Sequence, residues 1–178
     1  MIETNKIIQG DTLEILKKFP DESVDMVMTS PPYFGLRSYL PKDHPDKKKE
    51  IGSENSMQEH IEVLMSIFAE VKRVLKKEGN FWLNYGDCYA SNGSMESRFY
   101  HGENPGKHKL SKDILSGRAR TKDIQEKSML MLPERIALKM IDEQGWILRQ
   151  KIVWAKQVMM RDKERGGYYT KGSVMPTS

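Results

Sequence analysis

Residues 24–33 read Val-Asp-Met-Val-Met-Thr-Ser-Pro-Pro-Tyr, a short apolar run that stops at two prolines. Proline cannot donate a hydrogen bond to a strand ladder, and it biases the residue before it toward extended geometry. The run therefore predicts a β-strand that ends abruptly and presents Ser30 and Tyr33 beyond its carboxyl end. In open α/β sheets, ligands bind at this end of the strands.

The residues Ser30, Pro31, Pro32 and Tyr33 suit one kind of chemistry. The exocyclic amino group of a nucleobase is a poor nucleophile because its lone pair is delocalised into the ring. Two acceptors aimed at its N–H bonds would draw the nitrogen toward tetrahedral geometry and free the lone pair for attack on an electrophilic methyl group. The Ser30 hydroxyl can be one acceptor, and the Pro31 carbonyl, held rigid by the adjoining prolines, can be the other. Tyr33 then offers a flat face on which an extruded base can stack.

The Thr-Ser-Pro-Pro-Tyr sequence of residues 29–33 resembles the catalytic motif of the amino-methyltransferases that modify DNA on cytosine N4 or adenine N6 with S-adenosylmethionine. The next residues, Phe34-Gly35-Leu36-Arg37, are similar to runs in relatives of that group. The resemblance implies an α/β, Rossmann-like methyltransferase sheet and a catalytic role for Ser30 to Tyr33. Serine at the first motif position favours cytosine N4 over adenine N6. Taken alone, Ser-Pro-Pro-Tyr is also compatible with a plain turn or a proline-rich ligand segment.

The composition indicates a soluble globular chain. Its 178 residues, 38% hydrophobic and 30% charged, are enough for one core-bearing domain. No apolar run reaches the length of a membrane span, and residues 1–10 lack the apolar core of a signal peptide. The single cysteine, Cys88, allows no intrachain disulfide, which fits a reducing cytoplasm, and the resemblance implies a bacterial, archaeal or phage source. The net charge of +4 permits a polyanionic partner without requiring one.

Hydrophobic periodicity and capping residues predict alternating strands and helices. The predicted strands cover residues 7–8, 24–28, 80–87 and 146–154, and the predicted helices cover residues 12–19, 56–78 and 132–144. Asp11 and Ser56 are the expected N-caps of the first two helices. Lys76-Lys77 and Gly79 are the expected C-terminal charges and stop signal of the second. Residues 7–33 then read as a β-α-β unit.

Asp11 supports two interpretations. Its position predicts a helix cap, whereas the resemblance implies a cofactor-binding residue, since family members carry a Gly-Asp pair ahead of the catalytic motif. A carboxylate there could accept a hydrogen bond from the adenine amino group or the amine of S-adenosylmethionine. Asp87, at the end of the predicted 80–87 strand, is either part of the same cleft or, as we favour, an ordinary turn aspartate.

Basic residues mark the expected contacts to double-stranded DNA. Residues 91–128 interleave lysines and arginines with aromatic residues and show little apolar periodicity, which predicts a mobile basic loop that becomes ordered on the duplex. Arg118 and Arg120 in this loop, and Arg37 after the motif, are the candidate contacts. A plain solvated insertion is the alternative. The expected organisation is a catalytic region over 1–90, the loop over 91–128, and a continuation of the catalytic region with a flexible tail over 129–178.

The sequence contains no Phe-x-Gly-x-Gly run, which is the cofactor signature of the family. In the subgroup whose catalytic motif comes first, that signature lies near the C-terminus. We therefore expect an incomplete methyltransferase sheet that lacks the C-terminal cofactor-binding portion, with the missing half on a longer chain or another polypeptide. A homo-oligomer is a further option. On this view the 178 residues alone bind S-adenosylmethionine poorly and turn over negligibly.

Two other functions compete with DNA methylation. Methylation of RNA or of a protein glutamine also uses an acceptor-Pro-Pro-Tyr motif, but those relatives usually carry asparagine where Ser30 stands. A truncated remnant that binds DNA without catalysis is the non-enzymatic rival. The four histidines are scattered and we expect them mostly on polar loops, so the sequence predicts no metal site: His44, His60, His101 and His108.

Overall fold

The computed structural model describes residues 4–36, 38–41, 43–90, 124–125, 127–154, 158–161 and 168–171. In chain order its elements are helix α1 (Thr12–Leu16), strand β1 (Val24–Thr29), a 3-10 turn (Lys47–Lys49), helix α2 (Met57–Val74), strand β2 (Leu75–Leu83), helix α3 (Leu132–Gln144), strand β3 (Val158–Arg161) and strand β4 (Tyr168–Lys171). The chain divides into two compact units, Met1–Trp146 and Ile147–Ser178. Within the described residues, no helix combines the length and apolar character needed to cross a membrane.

Strands β1 and β2 pair in parallel. Parallel neighbours cannot be joined by a tight turn, so the chain crosses over between them through helix α2. At the carboxyl end of the pair, Met28 lies opposite Trp82 and Thr29 lies opposite Leu83. This β1–α2–β2 arrangement confirms the predicted α/β fold class. It also places Ser30 just beyond the carboxyl edge of the sheet.

The two faces of this sheet differ in exposure. Val27, Phe81 and Leu83 are partly buried and pack against the core on the inner face. Met28 on the outer face is 69% exposed, and its partner Trp82 is 47% exposed. Parallel sheets are normally covered on both faces. The exposure of these apolar side chains on the outer face is therefore unusual.

Helix α2 supplies about half of the buried hydrophobic core of the first unit. The Ser56 hydroxyl accepts the N–H of Glu59 at 3.1 Å, which confirms the predicted N-cap. The buried face of the helix consists of His60, Ile61, Leu64, Met65, Ile67, Phe68, Val71 and Val74. This face shares one hydrophobic cluster with Leu132, Ile136 and Met140 of α3. The predicted helix is therefore confirmed, and its buried apolar stripe has one polar member, His60.

The junction of α2 and β2 differs from the prediction. Helix α2 ends at Val74, so Lys76-Lys77 and Gly79 lie inside β2 rather than at the end of the helix. The register of the parallel pair shifts in this region. A Cβ on Gly79 would lie 3.1 Å from the carbonyl oxygen of Asp25 on β1, so glycine permits a close approach of the two backbones.

Helix α3 is anchored to the segment that follows β2. The Asp87 carboxylate accepts the N–H groups of Met131 at 2.9 Å and of Leu132 at 3.1 Å. These are donors that the first turn of a helix leaves unpaired. Asp87 therefore caps α3 from a distant part of the chain, a role that differs from the turn aspartate favoured from the sequence. Gly145 ends the helix in the left-handed conformation, with φ of 63°.

In the second unit, β3 and β4 pair antiparallel, with Val158 opposite Lys171 and Arg161 opposite Tyr168. The predicted strand over 146–154 is wrong, because those residues form no strand in the described part of the chain. Trp154 is 73% exposed there.

The strand predicted at Ile7-Ile8 is wrong for the same reason, and with it the β-α-β unit over 7–33. A strand is stable only when its N–H and C=O groups find a neighbour. In the described part of the first unit, the sheet consists of β1 and β2. The predicted loop over 91–128 lies almost entirely outside the described residues, so the division of the chain around it stays a prediction.

Candidate active site

Ser30 and Tyr33 lie directly beyond the last residue of β1, and their side chains meet. Thr29 still belongs to the ladder, because its carbonyl accepts the N–H of Asn84 at 2.9 Å. The Ser30 Oγ and the Tyr33 hydroxyl are 3.3 Å apart. Ser30 is exposed and Tyr33 is half-buried. The chain thus turns after β1 so that both hydroxyls lie on the same side of the loop, where a ligand can reach them.

The Tyr33 ring packs on the backbone at Gly86. A Cβ on Gly86 would come within 2.8 Å of Cε2 of Tyr33, so the ring can lie this close only because residue 86 is glycine. The Tyr85 ring packs beside it, with centroids 4.8 Å apart and planes inclined by 48°. The segment after β2 therefore fixes the ring that the segment after β1 presents.

The backbone after Tyr33 is tied to two other segments. The Phe34 N–H donates to the Tyr85 hydroxyl at 3.1 Å, and the Gly35 N–H donates to the Gly52 carbonyl at 2.8 Å. Gly52 adopts φ of +91°, and a Cβ on it would lie 2.9 Å from the Tyr33 carbonyl oxygen. Glycine is required at residue 52 both for this backbone conformation and for this close approach.

A buried side-chain network extends from this loop into the core. His60 is fully buried, with Nε2 2.6 Å from the Tyr85 hydroxyl and Nδ1 2.8 Å from Oε2 of Glu54. Burial raises the pKa of Tyr85, so its hydroxyl stays protonated. The expectation that the histidines lie mostly on polar loops is wrong for His60, which is on α2. The available signal was its place in the apolar stripe, next to Ile61 and four residues before Leu64.

Residues 38–50 are organised around Glu50. Its carboxylate accepts the Lys47 Nζ at 2.5 Å, the Leu40 N–H at 2.9 Å and the Tyr39 N–H. Burial alone would raise the pKa of Glu50, but the hydrogen bonds from Lys47 and the two N–H groups outweigh it and lower the pKa to about 2. Glu50 therefore holds this loop together in its charged form.

The structure gives the other predicted site residues separate outcomes. The Asp11 carboxylate accepts the N–H of Glu14 at 3.1 Å and caps α1, which confirms the capping interpretation and leaves its cofactor role a prediction. Arg37, Arg118 and Arg120 lie outside the described residues. No group of three or more His, Cys, Asp or Glu side chains in the described part of the chain is arranged to hold a metal ion.

The described residues fit part of a site for S-adenosylmethionine. Asp11 is exposed, and an ionised carboxylate has acceptor capacity beyond the one bond to Glu14, so it suits an amine or an adenine amino group. The glycine turn that would let the backbone approach the cofactor has no counterpart in the sequence. Asp11 is therefore a single candidate for a polar contact to the cofactor, and that role stays a prediction.

Residues 24–174 match the model of a protein family described as DNA methylase, of the N6/N4 type. The type II methyltransferase M.XycI of Xanthomonas campestris pv. cyanopsidis is 38% identical over 88% of this chain and 48% of its own length. For M.Cfr9I of Citrobacter freundii the identity is 36% over 84% of this chain and 46% of its own. The chain spans about half the length of these curated relatives.

Among solved structures, the cytosine-N4-specific PvuII DNA methyltransferase matches with a TM-score of 0.43 and 24% identity, over 76% of this chain and 33% of that one. The family match over residues 24–174 includes β1, the Ser30–Tyr33 loop, α2, β2 and α3. This chain belongs to the N6/N4-type DNA methylase family.

Proposed function

We propose that this protein carries the base-binding part of a site-specific DNA methyltransferase, which transfers a methyl group from S-adenosylmethionine to the exocyclic amino group of an extruded base. The observation that supports this most directly is the meeting of the Ser30 and Tyr33 hydroxyls, 3.3 Å apart beyond the carboxyl end of β1. Family membership supports DNA as the substrate class. S-adenosylmethionine, when bound, supplies the methyl group.

In this proposal Ser30, Pro31, Pro32 and Tyr33 prepare the amino group. The Ser30 hydroxyl and the Pro31 carbonyl accept its two N–H bonds, which withdraws the nitrogen lone pair from the ring. A hydroxyl oxygen has two lone pairs, so Ser30 can accept from the base while it remains in contact with Tyr33. The proline rings fix the loop backbone, and the Tyr33 ring provides a face for stacking.

We propose cytosine N4 as the target atom in preference to adenine N6. Serine at the first motif position supports this choice. Both amino groups are conjugated with a heteroaromatic ring and would be held by the same two acceptors, so the measurement that separates them is chemical identification of the product.

We further propose that the partner is double-stranded DNA in the cytoplasm, contacted by Arg37, Arg118 and Arg120, whose guanidinium groups suit phosphate oxygens.

The chain spans about half the length of its curated relatives, and the outer sheet face exposes Met28 and Trp82. We propose that another polypeptide or a second copy of this chain covers that face.

The test incubates the protein, in the longest form that its gene encodes, with duplex DNA and methyl-labelled S-adenosylmethionine, then digests the DNA to nucleosides. We expect label in N4-methylcytosine. Label in N6-methyladenine would show that the target atom is adenine N6 instead of cytosine N4. Label only in RNA or protein would refute DNA as the substrate.

Site variants connect this activity to the loop. Tyr33→Ala and Ser30→Ala should each reduce the label at least a hundredfold without unfolding the protein, because stacking and one of the two acceptors are lost. Tyr89→Ala is the matched control, since Tyr89 is partly exposed and its described contact is a backbone bridge to Met129. Full activity in Tyr33→Ala would refute the site assignment.

The cofactor proposal has a separate test. We expect the 178-residue chain alone to bind S-adenosylmethionine weakly, because its sequence contains no Phe-x-Gly-x-Gly run. Isothermal titration calorimetry measures this directly. Binding as tight as that of a full-length relative would show that the glycine turn is dispensable here.

A further inference from the structure

Tyr85 contacts both the ring of Tyr33 and the backbone that follows it. Its ring centroid is 4.8 Å from that of Tyr33, and its hydroxyl accepts the Phe34 N–H at 3.1 Å. The carbonyl of the same peptide unit, at Tyr33, accepts the Leu36 N–H at 3.3 Å. Both polar groups of the Tyr33–Phe34 peptide are therefore bonded, and one of the bonds depends on the Tyr85 hydroxyl.

The hydrogen bonds that connect Phe34, Tyr85, His60 and Glu54 all have the same donor-to-acceptor direction. The Phe34 N–H can only donate and a carboxylate oxygen, such as Oε2 of Glu54, can only accept, with Tyr85 and His60 between them. Every hydrogen in this series of hydrogen bonds has an acceptor when His60 is neutral and protonated on Nδ1. In that arrangement Nδ1–H donates to Glu54 over 2.8 Å, and the Tyr85 hydroxyl donates to Nε2 over 2.6 Å.

The carboxylate of Glu54 is held in place by two hydrogen bonds. Its Oε2 accepts the Gly52 N–H at 2.9 Å as well as the His60 Nδ1–H, while its Oε1 is buried with no hydrogen-bond partner among the described residues. Burying a carboxylate oxygen without a partner costs free energy. The segment that carries Glu54 also bonds the motif loop, through the Gly52 carbonyl and the Gly35 N–H. Core packing alone therefore does not explain why a carboxylate is buried at residue 54.

We propose that Glu54, His60 and Tyr85 form a positioning relay that sets the orientation of the Tyr33 ring and the Tyr33–Phe34 peptide for the extruded base. This inference rests on the proposed methyltransferase function and adds three residues to it. None of the three touches the base. They act through Tyr33, by fixing the ring from the side and the backbone through the Phe34 N–H.

The first experiment measures the geometry without any chemistry. In Tyr85→Phe the Phe34 N–H loses its acceptor while the ring contact is kept. We expect its amide proton resonance to move upfield and its hydrogen exchange to speed up at least tenfold, measured by NMR on the isotope-labelled protein. Tyr89→Phe is the matched control, since it removes one phenol hydroxyl outside the relay. An unchanged Phe34 amide in Tyr85→Phe would overturn the proposal.

The second experiment measures the consequence for catalysis. Tyr85→Phe should lower kcat for DNA methylation by about tenfold to a hundredfold with KM for S-adenosylmethionine unchanged, because a misoriented ring slows the reaction without touching the cofactor. Glu54→Gln keeps one acceptor oxygen and should lose less than Tyr85→Phe. A Tyr85→Phe variant with an altered Phe34 amide but normal kcat would refute the positioning role.

The two experiments also separate this proposal from the one on which it rests. If the unaltered protein, in the same form as in the nucleoside-labelling test, methylates no DNA, the proposed function fails. The amide measurement then still decides whether the relay fixes the loop.

Discussion

Gly86 determines how closely the Tyr33 ring can approach the segment after β2. A methyl group at residue 86 would lie 2.8 Å from Cε2 of Tyr33, well inside van der Waals contact. We expect Gly86→Ala to lower the free energy of unfolding by about 1–3 kcal/mol, a typical cost of overpacking. Urea denaturation measures this change.

The control for Gly86→Ala is the same substitution in a Tyr33→Ala background. With the ring removed, the added methyl group has nothing to displace, so its cost should fall below about 0.5 kcal/mol. Equal costs in the two backgrounds would show that the ring does not pack on Gly86.

Glu50 makes the loop over 38–50 sensitive to acid. Its folded-state pKa is lowered from 4.5 to about 2, so its charged form stabilises the fold above pH 4.5. That contribution is lost as the pH falls from 4.5 through about 2. We expect the wild type to be more stable than Glu50→Gln at pH 7, and the difference to shrink steadily below pH 4.5. Thermal melts of both proteins across this range test it, and a constant difference would contradict the assigned pKa.

Single-residue roles were predictable where they depend on near neighbours. Asp11 and Ser56 were identified as caps from spacing of three residues, and both side chains accept the expected N–H. The role of His60 was missed because its hydroxyl partner, Tyr85, is 25 residues away and lies beyond a crossover. Gly86 likewise has meaning only once β1 and β2 are side by side.

At the scale of elements, neighbouring residues of β2 differ strongly in burial because they point to opposite faces of the sheet. Phe81 packs against Phe68 and Trp146, with ring centroids 5.1 and 5.3 Å away, whereas the next residue, Trp82, faces outward and is 47% exposed. We expect Phe81→Ala to lower the free energy of unfolding by about 3 kcal/mol and Trp82→Ala by less than about 1 kcal/mol. Chemical denaturation compares them, and equal losses would mean that the outer face is covered in solution.

The elements themselves were predicted with uneven success. β1, α2 and α3 were predicted close to their observed bounds, because each has a strong period and a clear signal at one end. The end of α2 was misplaced, since lysines and a glycine after an apolar stripe suit a helix end as well as an irregular strand. Residues 146–154 carry β-prone apolar residues at both ends, but such composition carries no information about whether a neighbouring strand exists.

At the scale of the whole molecule, the motif after β1 was the most informative part of the sequence. It predicted the DNA methylase family and the α/β fold class, and both are confirmed. The same residues left the choice between cytosine and adenine open, because that choice depends on the shape of a pocket around the base. Such a shape is set by contacts between distant segments, which no local pattern encodes.

The outer face of the β1–β2 sheet has a practical consequence for work on the purified chain. Met26, Met28 and Trp82 expose apolar surface although helix α2 packs normally on the other side. Dyes such as ANS, which fluoresce on exposed hydrophobic surface, are commonly read as a sign of a molten globule. In this protein such fluorescence would report a well-packed molecule with one uncovered side, so near-UV circular dichroism is the safer criterion of correct folding.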